Sequence, residues 1–468
     1  MMIQTDWKYS LPFLNAAYQR LAQHSDQNSA LLQKLDKRIQ LLKTIHKCSD
    51  EVAALLENEE FRSVWDEMSP RLLQQFFKEI FAAEEAVKIS VNVMTYNEER
   101  CIERCLASVR ALADEIIVLD TGSTDRTVEI VQHHFPEAKI FQTKWQEDFS
   151  QARNLMVQYS THDWIVQIDA DEYLVDPPLD LKALIQMFQH CPIQPLVISP
   201  TIVNHDHSEF QHSKRIFNKR SGLTYFGLIH EELRYDIEKR GTDLYHVMTE
   251  LKLFHDGYTP EVVQEKDKFS RNKALLERMI QVEPTNIRWY YFLAREKFYL
   301  DEPLDEIIQL VNEGMRHKDV NPDLDHFHLA CLILLATIYD RMGDAVQLKK
   351  VVEEIKTHYP YCIDALYYEL STTFERNTQE LYVQSEQVLQ NLLTIDDPLS
   401  FIHSQGFHLY KLLGLIFFYR GDYKLAFKLF SKISDPEELS EIIEQMSLLR
   451  DEIDQFLATV KNHSPATL

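Results

Sequence analysis

The chain has 468 residues, 45% apolar and 26% charged, too long for one ordinary core and amply supplied with material for two or three. A formal net charge of −24 argues against a nucleic-acid backbone as partner, since phosphate binding rests on neutralisation by lysine and arginine, and favours encounter with a cationic partner. No apolar run approaches the roughly 18 residues of a membrane span, the start at Met1 has neither the basic residues nor the apolar core of an export signal, and Cys48, Cys101, Cys105, Cys191, Cys331 and Cys362 form no Cys-x-x-Cys, so a reduced, cytoplasmic protein is expected.

Residues 1–86 read as an N-terminal helical region. Leu31, Leu32, Leu35, Ile39, Leu42 and Ile45 recur at three and four, followed by Val52, Leu55, Leu56, Phe61, Val64 and Trp65. After Pro70 come Leu72, Leu73, Phe76, Phe77, Ile80 and Phe81. Amphipathic helices of this kind need a surface to cover, on the same chain or on a second copy.

Residues 87–258 change to an α/β pattern. Short β-branched runs at Ile89–Met94, Ile116–Leu119 and Trp164–Ile168 read as parallel strands, with Lys139–Gln142 as a further one. Helices are predicted from Cys101 to Leu112, from Ser123 or Thr124 to His134, from Phe149, and over Leu181–Phe188. Leu196–Pro200 reads as extended, and Arg215–Asn218 with Tyr225–Ile229 as a hairpin across Gly222. The cluster His205, Asp206, His207 and His212 lacks a ligand spacing and reads as a polar loop. Three strands end in polar clusters: Thr95-Tyr96-Asn97-Glu98, Asp120 to Asp125, and Asp169-Ala170-Asp171. Ligands in parallel α/β sheets sit at the carboxyl ends of the strands, so the chemistry is expected there. Two carboxylates one residue apart offer hard oxygens to a divalent cation.

Residues 259–468 carry a repeat. Pro284, Pro322, Pro360, Pro398 and Pro436 fall at a constant interval of 38 residues, with helical patterns between them and turns such as Gly343-Asp344 and Gly421-Asp422. This resembles the tetratricopeptide class, whose arrays bind peptides or mediate self-association.

The strand-end clusters, with Ala152-Arg153-Asn154, resemble the inverting glycosyltransferases of family 2. The resemblance implies an α/β GT-A (Rossmann-like) catalytic domain. Phe149 to Asn154, Tyr225 to Glu232, His255 to Pro260 and Glu283 to Trp289 narrow it to the sublancin S-glycosyltransferase family of glycocin biosynthesis. That family implies a UDP-sugar donor, UDP-glucose most commonly, with Mg²⁺ or Mn²⁺. It also implies a Cys, and in some members a Ser, of a small antimicrobial peptide as acceptor, and a homodimer through the helical regions. By this resemblance Thr95, Tyr96, Asn97, Glu98, Asp120, Arg153, Asn154 and Asp169 bind the nucleotide-sugar, and Asp171, Asp169 and His255 bind the metal. Glu231 and Glu232 are the general-base candidates, with His230 third. Strand alternation predicts that Glu231 and Glu232 face opposite ways and leaves open which faces inward. The alternatives are an enzyme acting on a cell-surface glycan or lipid-linked saccharide, and a non-catalytic tetratricopeptide scaffold.

Overall fold

The computed structural model describes residues 9–23, 29–57, 68–84, 86–174, 180–189, 191, 193–204, 208–210, 213–235, 244–256, 268–320, 324–374, 378–395 and 399–463. The chain divides into two compact units, residues 1–205 with 209–279 and residues 206–208 with 280–468.

The first unit is built on a mixed sheet, ten-stranded among the described residues. Its strands are β1 (Ile45–Cys48), β2 (Ile89–Thr95), β3 (Glu115–Asp120), β4 (Lys139–Gln142), β5 (Trp164–Asp169), β6 (Glu172–Leu174), β7 (Leu196–Asn204), β8 (Glu209–Phe210), β9 (Ile216–Asn218) and, after a separate hairpin of β10 (Thr224–Phe226) and β11 (Glu232–Arg234), β12 (Tyr245–His255). The order across the sheet is β1-β12-β7-β9-β5-β2-β3-β4, with β6 on β12 and β8 on β7. Strands β5, β2, β3 and β4 run parallel, and β9 is inserted antiparallel to both β5 and β7.

Eight helices of this unit are α1 (Leu11–Ala22), α2 (Ser29–Lys43), α3 (Asp50–Leu56), α4 (Pro70–Ala83), α5 (Ile102–Val109), α6 (Thr127–His134), α7 (Phe149–Tyr159) and α8 (Leu181–Phe188). Strand alternation sends Val91, Val93, Val118 and Val166 into one core, shared with Phe13, Leu35 and Phe77 of the N-terminal helices and with Leu106 and Leu184. The surface that the N-terminal helices cover is therefore the sheet of their own chain. Phe13, Phe76 and Phe77 pack ring to ring there, with centroids 5.1 to 5.8 Å apart, and each buried phenylalanine contributes about 1.5–3 kcal/mol. On the opposite face Ile117 and Leu119 meet Ala152 and Met156 of α7.

Three local expectations are corrected. Ile45, placed by its spacing in a helix, begins strand β1, where Ile45 faces Thr249 and Cys48 faces Val247 on β12. Pairing an otherwise open sheet edge outweighs the local helical spacing. The hairpin across Gly222 does not form, because both edges of β9 are already occupied. Gly222, at φ 78°, turns the chain out of the sheet, and β10 pairs with β11 instead. The start of α6 is held not by Ser123 or Thr124 but by Asp125, whose Oδ1 accepts from Thr127 N at 2.9 Å; Ser123 and Thr124 are engaged with Asn97.

The second unit is helical, with successive pairs such as Ile287–Tyr299 with Leu304–Met315, Asp325–Met342 with Ala345–His358, and Phe407–Arg420 with Tyr423–Phe430. The predicted Gly-Asp turns work in two steps. Gly343 and Gly421 end their helices in the left-handed region, at φ 68° and 89°. Asp344 and Asp422 then cap the next helix, accepting from Gln347 N and Leu425 N at 3.1 Å. Pro322, Pro398, the His205–His212 cluster, Phe61, Val64, Trp65 and Gly257 to Pro260 lie outside the described residues.

Candidate active site

The polar ends of β2 and β3 are braced against each other. Asn97, in the left-handed region at φ 52°, accepts from Thr124 N at 2.7 Å and donates its own N–H to Ser123 Oγ at 2.9 Å. Glu98 N donates to Thr127 Oγ1 at 2.8 Å. Asn97 and the Glu98 backbone thus shape the loop, and Tyr96 is about half exposed, at 51%. Asp120 is buried, its carboxylate accepting from Ser123 N at 3.1 Å.

A chain of alternating charges runs behind these loops. Arg153, buried on α7, donates through Nε to Glu231 and through Nη2 to Asp169 Oδ1 at 2.8 Å. Asp169 Oδ2 accepts from Arg215 Nη2 at 2.7 Å, and the same nitrogen lies 2.7 Å from Glu172 Oε1. Burial opposes ionisation of Asp169, but Arg153 and Arg215 outweigh it and hold its carboxyl far below the usual range. Burial moves Glu172 the other way, upward, against the pull of Arg215. Each Asp169 oxygen thus accepts from a guanidinium group, which makes Asp169 the centre of this ion-pair chain. Arg215 belongs to no recognised motif. Only the register of β9, which puts the Arg215 carbonyl 2.9 Å from Gln167 N, brings it to the end of β5.

The two adjacent glutamates turn to different partners, Glu231 lying just before strand β11 and Glu232 beginning it. Glu231 turns to Arg153, whereas Glu232 accepts from Arg234 Nε at 2.9 Å. Glu231 is the one of the two that joins the Arg153–Asp169 pair. His230 lies at φ 49°, a left-handed residue that reverses the chain just before Glu231. Asn154 is spent on the backbone of Tyr225, donating to its carbonyl and accepting from its N–H, each at 2.8 Å. It fixes β10 rather than opening to the site.

Four polar atoms around this cluster are buried with no partner among the described residues: Thr95 Oγ1, Arg153 Nη1, Arg215 Nε and the Tyr225 hydroxyl. Burial pushes the Tyr225 phenol up to about 12, so it stays a donor. The position of these four atoms beside the strand ends leaves donors and acceptors that a polar ligand could satisfy.

Asp171 and His255 stand apart from the arginines. His255 Nε2 is 3.5 Å from Asp171 Oδ2, and its Nδ1 is 3.0 Å from Asn204 Oδ1. An acceptor at Nδ1 keeps the proton there and turns the Nε2 lone pair towards Asp171 in the neutral ring. Burial disfavours the protonated ring, but the Asp171 carboxylate outweighs it and raises the His255 pKa. One carboxylate oxygen and one imidazole nitrogen fit a divalent cation completed by oxygens of a bound diphosphate. Among the described residues no group of three or more His, Cys, Asp or Glu converges to hold a metal. The adjoining Asp256 is clamped by Arg100, at 3.0 and 3.1 Å, and by Arg104.

Residues 90–247 match the family model described as glycosyl transferase family 2. The chain carries a family 2 glycosyltransferase domain. Its mixed sheet, with the polar clusters at the carboxyl ends of β2, β3 and β5, is of the GT-A type. The chain is 33% identical over 282 residues to the SPbeta prophage-derived glycosyltransferase SunS of Bacillus subtilis, covering 60% of this chain and 65%, just under two thirds, of SunS. A TPR repeat-containing protein of Synechococcus elongatus is 43% identical over 96 residues, 20% of this chain and 23% of that one. Among solved structures, S. aureus TarS 1–349 in complex with UDP-GlcNAc aligns with a TM-score of 0.33 at 17% identity, over 58% of this chain and 92% of that one. No helix among the described residues is long and apolar enough to cross a membrane. Cys101 and Cys105 of this family 2 domain are buried, and burial raises both thiols well above the free value, as packing residues rather than reactive ones.

Proposed function

We propose that this protein transfers a hexose, with inversion, from a UDP-sugar to a cysteine or serine side chain of a peptide. The observation that carries the reading is the Glu231–Arg153–Asp169 chain beside the Asp171–His255 pair. It combines a candidate base before β11, a guanidinium held on α7 and a cation-fitting pair formed by the turn after β5 with the end of β12. Similarity to SunS supports a peptide acceptor, and UDP-glucose is the donor expected from the family resemblance.

In the proposed reaction the acceptor sulfur or oxygen attacks the anomeric carbon from the side opposite the diphosphate. The new bond to carbon forms as the bond from carbon to the diphosphate oxygen breaks, and UDP leaves with the electron pair. Glu231, oriented by Arg153, takes the acceptor proton. For a thiol this demand is smaller, because a few per cent is already thiolate near neutrality. Arg153 Nη1 and the Tyr225 hydroxyl supply unspent donors towards the nucleotide-sugar, and Tyr96 offers a ring to the nucleoside. Mg²⁺ or Mn²⁺ held by Asp171 and His255 would neutralise charge on the leaving diphosphate.

Intact-mass spectrometry of a Cys- and Ser-containing cationic peptide, incubated with the protein, UDP-glucose and Mn²⁺, tests the reading. A hexose increment mapped to Cys supports S-transfer, and one on Ser supports O-transfer. Tight UDP-glucose binding with no increment would turn the reading towards a glycan acceptor, and absence of both binding and hydrolysis towards a scaffold. The resemblance also implies a homodimer, supported by exposed Ile443, Leu448 and Ile453 on the last helix. Sedimentation equilibrium checks it.

A further inference from the structure

The turn that carries Asp171 consists of Ala170 and Asp171 alone, between the end of β5 at Asp169 and the start of β6 at Glu172. A turn this short takes its direction from whatever holds its two ends. Asp169 N donates to Glu172 Oε2 at 2.9 Å. Arg215 Nη2 lies 2.7 Å from both Asp169 Oδ2 and Glu172 Oε1, so one guanidinium nitrogen bridges the two ends. Glu172 faces His255 in the register of β6 on β12. Any displacement of Glu172 therefore moves Asp171 relative to His255.

We propose that Arg215 is a positioning residue for the cation-binding pair Asp171 and His255, acting through the turn from Asp169 to Glu172. The proposal rests on the cation reading given above. Without Arg215, Arg153 still holds Asp169 Oδ1 at 2.8 Å, but Glu172, only 2% exposed, loses its counter-charge. The guanidinium bridge between the two ends of the turn is then gone, and the bond from Asp169 N to Glu172 Oε2 is left to hold them, so the turn loosens. Direct hydrogen-bond partners of metal ligands govern metal affinity about tenfold to a hundredfold, which sets the upper bound for a residue acting through the turn.

The test is Mn²⁺ binding in the presence of UDP, read from the electron paramagnetic resonance of free Mn²⁺, in the full chain and in Arg215→Met and Arg215→Lys. The dissociation constant for Mn²⁺ is expected to rise several-fold, up to about tenfold, in Arg215→Met. A smaller rise is expected in Arg215→Lys, whose single ammonium can bridge the same two oxygens. An unchanged constant in Arg215→Met, with a native circular dichroism spectrum and melting transition, overturns the proposal. If Arg215→Met does not fold, Arg215→Lys decides: weakened Mn²⁺ binding sustains the proposal and wild-type binding overturns it. Failure of the wild-type protein to bind Mn²⁺ with UDP removes the cation reading itself, and the proposal with it.

Discussion

Glu231 and Glu232 are chemically identical neighbours with different surroundings. Glu231 meets Arg153, and through it Asp169, while Glu232 is held by Arg234, which lies on the Phe226 ring at 3.8 Å. Glu231→Gln is expected to lower kcat for transfer by about 10²–10⁴-fold with donor binding retained. Glu232→Gln should leave kcat close to wild type. Steady-state kinetics on both variants checks the assignment, and the reverse ranking refutes it. Asp171→Ala should abolish transfer while the melting temperature stays near wild type, because a strand-end carboxylate leaves no cavity in the core. At the other end of the strands Glu115 accepts from Ser90 Oγ at 2.5 Å, from Thr161 N at 2.8 Å and from Lys139. Burial alone would raise its pKa, but these bonds lower it from 4.5 to about 2. A depressed carboxylate stabilises the fold above its unfolded pKa, and that contribution is lost as pH falls from about 4.5 towards 2. Denaturant titrations should show wild-type stability falling in that window. Glu115→Gln should start lower at neutral pH, by about 1–3 kcal/mol, and fall less.

Among elements, the helix pairs of the second unit depend on close approach. A Cβ on Gly314, in the helix Leu304–Met315, would lie 2.5 Å from the Cβ of Tyr290 on its partner helix. Gly314→Ala therefore forces the two helices apart, at a cost of about 1–3 kcal/mol despite alanine's better helix propensity. Urea denaturation of the variant checks this, and a stability gain would show that the pair can relax. The 38-residue proline interval and the Gly-Asp turns made these pairs legible in the sequence, because the interval is periodic and the turns act through adjacent residues. Strand β1 carried no such signal: four residues, Ile45 to Cys48, that continue a helical spacing. It forms because β12 offers an unpaired edge, a condition set elsewhere in the chain.

For the whole molecule, the N-terminal helices are part of the core of the first unit. Removing residues 1–57 would take strand β1 off the edge of β12 and strip the partners of Phe76, Phe77 and Phe188. The shortened chain is expected to aggregate rather than survive as a trimmed enzyme, which size-exclusion chromatography would show. The charge of −24 gives a cationic peptide a long-range attraction that salt screens, the Debye length falling from about 30 Å at 0.01 M to about 10 Å at 0.1 M. The KM for such an acceptor should therefore rise with added salt, more steeply than for an uncharged one.

By itself the sequence determined that polar clusters end successive parallel strands, that family 2 motifs fill them, and that a helical repeat follows. Those signals are periodic or contiguous, so local physics writes them into the order of residues. Only the tertiary structure decided that Glu231 rather than Glu232 faces Arg153, that Asn154 serves the Tyr225 backbone, and that Asp169 answers to Arg215. Arg215 lies 46 positions from Asp169 and 43 from Glu172. Their meeting depends on β9 sliding antiparallel between β5 and β7, and strand register is a property of the assembled sheet.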